Sequence, residues 1–402
     1  EVMEECLQKI EQLDPDINAF NYVDADGARA DALQTDERIA RGEELGPLVG
    51  VPIGIKDLFE DVRGMPTSQG SVFFKDGPLK EHDSVMVSRL RAAGAIPVGK
   101  IASAEFGVDG TGTTLAFGLV RNPWNLDLSA GGSSGGSSAA VAAGMIPVCS
   151  GGDGGGSIRC PASFTGLVGF KPSLGRIPRY DGFSDTTALG ALTTTVADTA
   201  RYVDVTAGPH DSDRMNLPKP GLCYEDELDR LDVSGLRVVW SDNFGAYAAD
   251  PEVSEIARRA ADRLIDDAKL QRIDEGFTCA NVTQPWTAIA SHSMRSWFEA
   301  DGMLPDRIDD LSRMPRWLME AYGTQAPADL HRYKLELKAF EQEVAALFER
   351  TDLLMTPTVG TTAFASEGPL PDVRDAIEAG GDIKAMLVES WSRHSPFCML
   401  AN

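Results

Sequence analysis

The sequence predicts an α/β fold, and two observations carry that prediction. Short apolar, β-branched runs recur at 48–55, 95–98, 145–149, 236–240 and 352–358. Stretches with apolar residues at helical spacing fill the intervals between them, the alternation expected when helices cover a sheet. With 402 residues and 43% hydrophobic content the chain can bury a large core. No internal repeat divides it. One domain over 1–402 is expected: N-terminal helices at 1–44, a core at 45–208, a variable and mainly helical region at 209–350, and a return to the core at 351–402.

Val2, Cys6, Leu7, Ile10 and Leu13 share one helical face, and Asp14-Pro15 closes that first helix. Ala25 to Ala40 reads as a second, polar-faced helix before Gly42. The run 48–55 reads as a buried strand that delivers Lys56-Asp57 at its exit. Asp83 or Ser84 can cap a helix through Leu90, with Gly94 ending it and 95–98 following as a strand. Ser137 to Gly144 is a helix of small residues, and 145–149 is a further buried strand. Val196 to Ala207 is helical, 236–240 is a strand, and 251–350 is mainly helical before 352–358 returns to strand.

The charge balance narrows the partners. Against 37 basic residues stand 61 acidic ones, a net charge of −24. Such a surface repels phosphate backbones and anionic lipid, so neither nucleic acid nor a membrane is an expected partner. The six cysteines form no CxxC pair and the five histidines no HxxxH or HxH cluster, so no metal and no cofactor is expected. The uncharged run 128–152 is too rich in glycine and serine for a membrane helix, and the expected location is cytoplasmic.

That run holds the chemistry. Gly131-Gly132-Ser133-Ser134-Gly135-Gly136-Ser137-Ser138 and Gly154-Gly155-Gly156-Ser157 place Ser133 and Ser157 on backbone rich in glycine. Consecutive N–H groups at 154–157 form a nest suited to a developing oxyanion, where one donor is worth about 3 kcal/mol. A serine nucleophile needs a base. No histidine neighbours either cluster, and Lys56 at a buried strand end is the best local candidate, since burial favours its neutral amine. Taken alone, Lys56 reads as an ordinary surface lysine at a strand end, paired with Asp57. No Walker or GxGxxG phosphate loop is present. The run 131–135 satisfies GxSxG, yet no buried strand precedes it, as a nucleophile elbow requires.

Together these stretches resemble the amidase signature family. The likeness is carried by 131–137, by Gly152-Asp153-Gly154-Gly155-Gly156-Ser157-Ile158-Arg159-Cys160-Pro161-Ala162-Ser163, by 166–172 with Gly175-Arg176, by Gly50-Val51-Pro52-Ile53-Gly54-Ile55-Lys56-Asp57, and by Glu105-Phe106-Gly107 and Arg121-Asn122-Pro123-Trp124. It is dense over 45–208 and thin through the helical region. The resemblance implies a mixed central β-sheet covered by helices on both faces. It implies an amidohydrolase that cleaves a linear amide or carbamoyl C–N bond through an acyl-enzyme on Ser157. Ser133, after a cis Gly132–Ser133 peptide, would relay the proton to Lys56, and the N–H groups of Gly154, Gly155, Gly156 and Ser157 would hold the oxyanion. Ser134, Asp153 and Arg159 would brace the turns, and Gly107 would line the substrate site.

Three departures from the family pattern stand out. Gly152 replaces a usual Thr or Ser whose role a water or Ser134 would have to fill, and Ile101-Ala102 replaces a polar pair. The asparagine-glycine-proline segment expected after the last strand would begin near Asn402, so a C-terminal portion of the fold is expected to be missing. Two other functions share this machinery: the A subunit of a tRNA-dependent amidotransferase, from whose pattern 181–190 departs, and a non-catalytic binding protein. The expected partner is a small amide, with a homodimer as the candidate assembly. Trp286, Trp297, Phe298, Trp317 and Tyr322 are candidate pocket liners, each read individually as core.

Overall fold

In the structure, a computed structural model describing residues 1–179, 186–274 and 276–399, the strands are β1 (Phe20–Val23), β2 (Pro52–Lys56), β3 (Ile96–Ile101), β4 (Arg121–Asn122), β5 (Asn125–Ser129), β6 (Val148–Asp153), β7 (Val168–Phe170), β8 (Ala188–Thr193), β9 (Arg237–Trp240), β10 (Gln271–Arg272) and β11 (Leu353–Met355). Six of them form the central sheet in the order β1-β3-β2-β6-β8-β7. The sheet is mixed: β2 runs parallel to both β3 and β6, while β1, β8 and β7 add antiparallel pairings.

Position in the sheet explains the composition of the central strands. Every residue of β2 is buried, with Ile53 and Ile55 at 0% exposure, because helices cover both faces. On one face pack the helices Val2–Ile17 and Gly135–Ala142, on the other Val85–Ala92 and Val196–Thr206. A third apolar cluster joins Phe106 to the helices Thr283–Ala300, Arg313–Tyr322 and Ile383–His394, roofing the site described below. Phe298, Trp317 and Tyr322 are core residues of that cluster. The strands β10-β9-β11 make a separate small parallel sheet, so the late run at 352–358 pairs with β9.

Several element bounds differ from the sequence expectation for identifiable reasons. The first helix continues past Pro15 to Ile17 and ends where Asn18 turns left-handed at φ 60°. The third buried strand lies at 148–153, not 145–149, because its glycines give no apolar periodicity yet pair fully with β8 from Val148 to Asp153. For the same reason β8 itself, built of Ala, Gly, Leu and Thr, gave no strand signal. A strand does precede the GxSxG run, but β5 pairs with β4 in a two-stranded ribbon, with a single bridge from Leu128 to Ala365, outside the central sheet, so the elbow context is absent. Among the described residues no helix is long and apolar enough to cross a membrane.

Candidate active site

Lys56, the last residue of β2, is fully buried, and its Nζ lies 2.8 Å from Ser133 Oγ and 3.2 Å from the carbonyl oxygen of Gly152. Its backbone N–H donates to Ser150 Oγ at 2.9 Å, fixing the strand end against β6. Asp57 faces away: it accepts from Ser68 and Asn21 and sits 3.9 Å from Lys100, so the Lys56–Asp57 pairing does not occur. Burial brings the Lys56 ammonium down to a pKa of about 8, although the negative charges of Glu60 and Asp153 work against it. A neutral amine has two N–H bonds and one lone pair. Donation to Gly152 leaves the lone pair free for the Ser133 hydroxyl.

Ser133 sits between β5 and the helix Gly135–Ala142, 1% exposed, and the Gly132–Ser133 peptide is cis. A Cβ at Gly132 would fall 2.4 Å from the carbonyl oxygen of Asp109, so only glycine fits there. The Ser133 carbonyl accepts from the Ala104 N–H at 3.1 Å. Gly107, left-handed at φ 75°, lies across the cavity, where its absent Cβ would be 3.6 Å from Ser133 Oγ. Among the described residues the Ser133 hydroxyl is bonded to Lys56 and not to Ser157.

Ser157 follows β6 on a turn that Asp153 organises. The Asp153 carboxylate accepts from Gly156 N–H (2.8 Å), Ile158 N–H (3.1 Å) and both Arg159 Nε (2.9 Å) and a terminal Arg159 nitrogen (2.7 Å). Burial alone would push this carboxyl up, but Arg159 and the backbone donors hold it well below the usual carboxylate range. Ser157 itself is half-buried, and its carbonyl accepts from Ser134 N–H at 3.1 Å, joining the two serine turns.

The geometry corrects two details of the expected site. Gly156 N–H is committed to Asp153, which leaves the N–H groups of Gly154, Gly155 and Ser157 for an oxyanion. Ser134 braces the turn through its backbone, whereas its buried hydroxyl finds no hydrogen-bond partner among the described residues. Gly156 has φ 123°, and a Cβ there would fall 2.7 Å from Cys160 Sγ and 2.8 Å from Cys398 Cβ. Gly156→Ala is therefore expected to distort the nest and lower kcat on the order of 10²-fold, measured with any amide that turns over. Asp153→Ala leaves the largely buried Arg159 guanidinium without this ion pair. It should cost about 3–5 kcal/mol in urea-induced unfolding.

Both serine turns open into a cavity of about 310 Å³. Its far wall is apolar, formed by Phe106, Trp286, Ile289, Phe364 and Trp391, with the Trp286 and Trp391 rings 5.2 Å apart. Trp286 is thus a pocket liner rather than core, since it stands over Gly155, whose absent Cβ would be 3.1 Å from its ring. Trp297 instead packs edge-on against Phe106. Sequence reasoning missed Phe364, Trp391 and His394, which reach this wall from a segment without motifs. His394 turns its Nδ1 to the Ser390 carbonyl and packs edge-on against Phe364. Among the described residues it bonds to neither Ser133 nor Ser157.

The sequence model of the Amidase family matches residues 1–378. This chain belongs to the amidase signature family. An acylamidase of Rhodococcus erythropolis is 41% identical over 412 residues, covering all of this chain and 83% of the relative. The A subunit of a glutamyl-tRNA(Gln) amidotransferase from a Cyanothece strain is 34% identical over 400 residues, 92% of this chain and 82% of its own length. Among solved structures, a bacterial aryl acylamidase superposes with a TM-score of 0.85 at 27% identity, covering 98% of this chain and 84% of that one. A 6-aminohexanoate cyclic dimer hydrolase in complex with substrate gives 0.80 at 28%, with the same coverage. The amidase signature fold, with its mixed sheet covered on both faces, is shared with these relatives.

Proposed function

We propose that this amidase hydrolyses linear amide or carbamoyl C–N bonds through an acyl-enzyme on Ser157. The observation that carries this reading is the buried contact of 2.8 Å between Lys56 Nζ and Ser133 Oγ, placed beside the glycine nest at the floor of one apolar cavity. Lys56 takes a proton from Ser133 as Ser133 takes one from Ser157, and Ser157 Oγ attacks the carbonyl carbon. The N–H groups of Gly154, Gly155 and Ser157 hold the oxygen that becomes negative. Collapse breaks the C–N bond, and the proton returns from Lys56 through Ser133 to the leaving amine. Water then attacks the acyl carbon by the same relay, releasing the acid and restoring Ser157.

Two expectations follow from the site. Only neutral Lys56 accepts a proton, so kcat/KM should rise tenfold per pH unit below about 8 and level off above it. An acyl group or amine substituent with a ring should bind against Trp286 and Trp391. Trp286→Ala is expected to raise KM for aryl amides on the order of tenfold and to leave short aliphatic amides little affected. The direct test is incubation with a fluorophosphonate and peptide mapping of the adduct. Label on Ser157 is expected, and an unlabelled Ser157 in active protein would overturn the mechanism.

The relatives that belong to amidotransferases keep a second reading open, in which the same chemistry releases ammonia from glutamine for a partner protein. Residues 181–185, part of the segment that departs from that pattern in sequence, lie outside the described residues. The apolar cavity wall favours an apolar substrate over glutamine. Glutamine turnover equal to that of an aryl amide, together with co-purification of a second protein, would reverse this preference.

A further inference from the structure

We infer that His394 is a specificity-determining residue of this reaction, a fixed hydrogen-bond acceptor that selects amides bearing an O–H or N–H donor on their ring. The inference rests on the function proposed above and narrows its substrate class. His394 is half-buried at the end of the helix Ile383–His394 and lines the cavity together with Trp391, one turn earlier. Residues so spaced are neighbours on one helix face. The imidazole stands edge-on to Phe364, with the ring centroids 4.7 Å apart. Trp391 lies 5.2 Å from Trp286, so a substrate ring held by the two tryptophans is within a helical turn of the imidazole.

The hydrogen bonds of the ring decide what it offers. Nδ1 meets the carbonyl oxygen of Ser390, which can only accept, so the hydrogen is on Nδ1. The Ser390 hydroxyl, 3.3 Å from the same nitrogen, is the more distant contact. A neutral imidazole with its hydrogen on Nδ1 keeps a lone pair on Nε2. Among the described residues Nε2 has no hydrogen-bond partner, and it is not sealed inside the protein. Burial holds the imidazole below the usual histidine pKa, so the ring is neutral at any pH where Lys56 is mainly neutral. The charged groups beside it, Arg393 and Asp250, pair with each other at 3.2 Å. Asp109 also lines the cavity, but its carboxylate accepts from the Thr111 N–H at 3.0 Å and the Thr111 hydroxyl at 2.9 Å. The serine hydroxyls of the lining turn to donate or accept and so select neither type. A ring that enters the cavity displaces water from Nε2. A donor on that ring replaces the lost bond, and a methyl ether does not.

The test is a set of matched aryl amides, each ring hydroxyl at the ortho, meta or para position compared with its methyl ether. The ring is placed on the amine side in one series and on the acyl side in another. At pH 8.5 the wild type should favour one hydroxyl isomer over its ether by about tenfold or more in kcat/KM. The ratio should fall to about one in His394→Phe and stay well above one in His394→Gln, which keeps an acceptor. A purely structural role would lower both rates together and leave the ratio in place. A wild-type ratio near one for every isomer overturns the inference, and so does an unchanged ratio in folded His394→Phe. Thermal melts decide whether that variant is folded; if it is not, His394→Ala takes its place under the same two outcomes. If a fluorophosphonate leaves Ser157 unlabelled in active protein, the proposed function fails and this inference with it. A labelled Ser157 with a ratio near one removes the role of His394 alone.

Discussion

Ser157→Ala is expected to abolish amide turnover, with kcat/KM falling on the order of 10⁵–10⁶-fold, the scale seen when the nucleophile of a serine hydrolase is removed. The loss should come with little change in substrate binding or in thermal stability. Ser157 is half-buried at the cavity edge, and the hydrogen bond that joins its turn to the other runs from Ser134 N–H to its carbonyl. Alanine keeps that bond. The variant should bind the cleavable amide with an unchanged Kd by calorimetry while releasing no product. Ser133→Ala should be impaired as well, but for a different reason: the proton path to Lys56 is cut while the nucleophile remains. A fluorophosphonate should then still reach Ser157, slowly.

Lys56→Met is the second large effect, and here activity and stability move apart. Turnover should fall on the order of 10⁴-fold or more, because the proposed base is gone. The folded-state pKa of Lys56 is about 8, below the ordinary lysine value of 10.5. Folding therefore disfavours the ammonium, and the protein loses stability as pH falls from 10.5 to about 8, with a constant penalty below that. A shift of this size corresponds to about 3 kcal/mol at neutral pH. Methionine removes the penalty but leaves Gly152 O and Ser133 Oγ without their partner, which costs about 1–3 kcal/mol. The melting temperature at pH 7 should accordingly hold or rise. At pH 11, where no penalty exists to relieve, it should fall relative to wild type.

How much of this was legible in the sequence depended on the kind of residue. The two glycine-serine clusters and Lys56 could be singled out because glycine runs and a lysine at the end of an apolar strand are local features. The family resemblance then related them across the 101 positions from 56 to 157. The commitment of Gly156 N–H to Asp153 could not be read, since it depends on how the turn after β6 closes. Nor could the roles of the aromatic residues be separated. Trp286 and Trp297 lie on the same helix, yet one faces the cavity and the other packs against Phe106. Helical spacing identifies an apolar face but not what covers it.

The most direct test of the proposed division of labour is to quench the protein in acid during turnover of an aryl amide and locate the acyl group by peptide mass. The expected result is acylation of Ser157 alone, present in wild type and absent from Ser157→Ala. An acyl group on Ser133, or sustained turnover by Ser157→Ala, would contradict the assignment of nucleophile and relay.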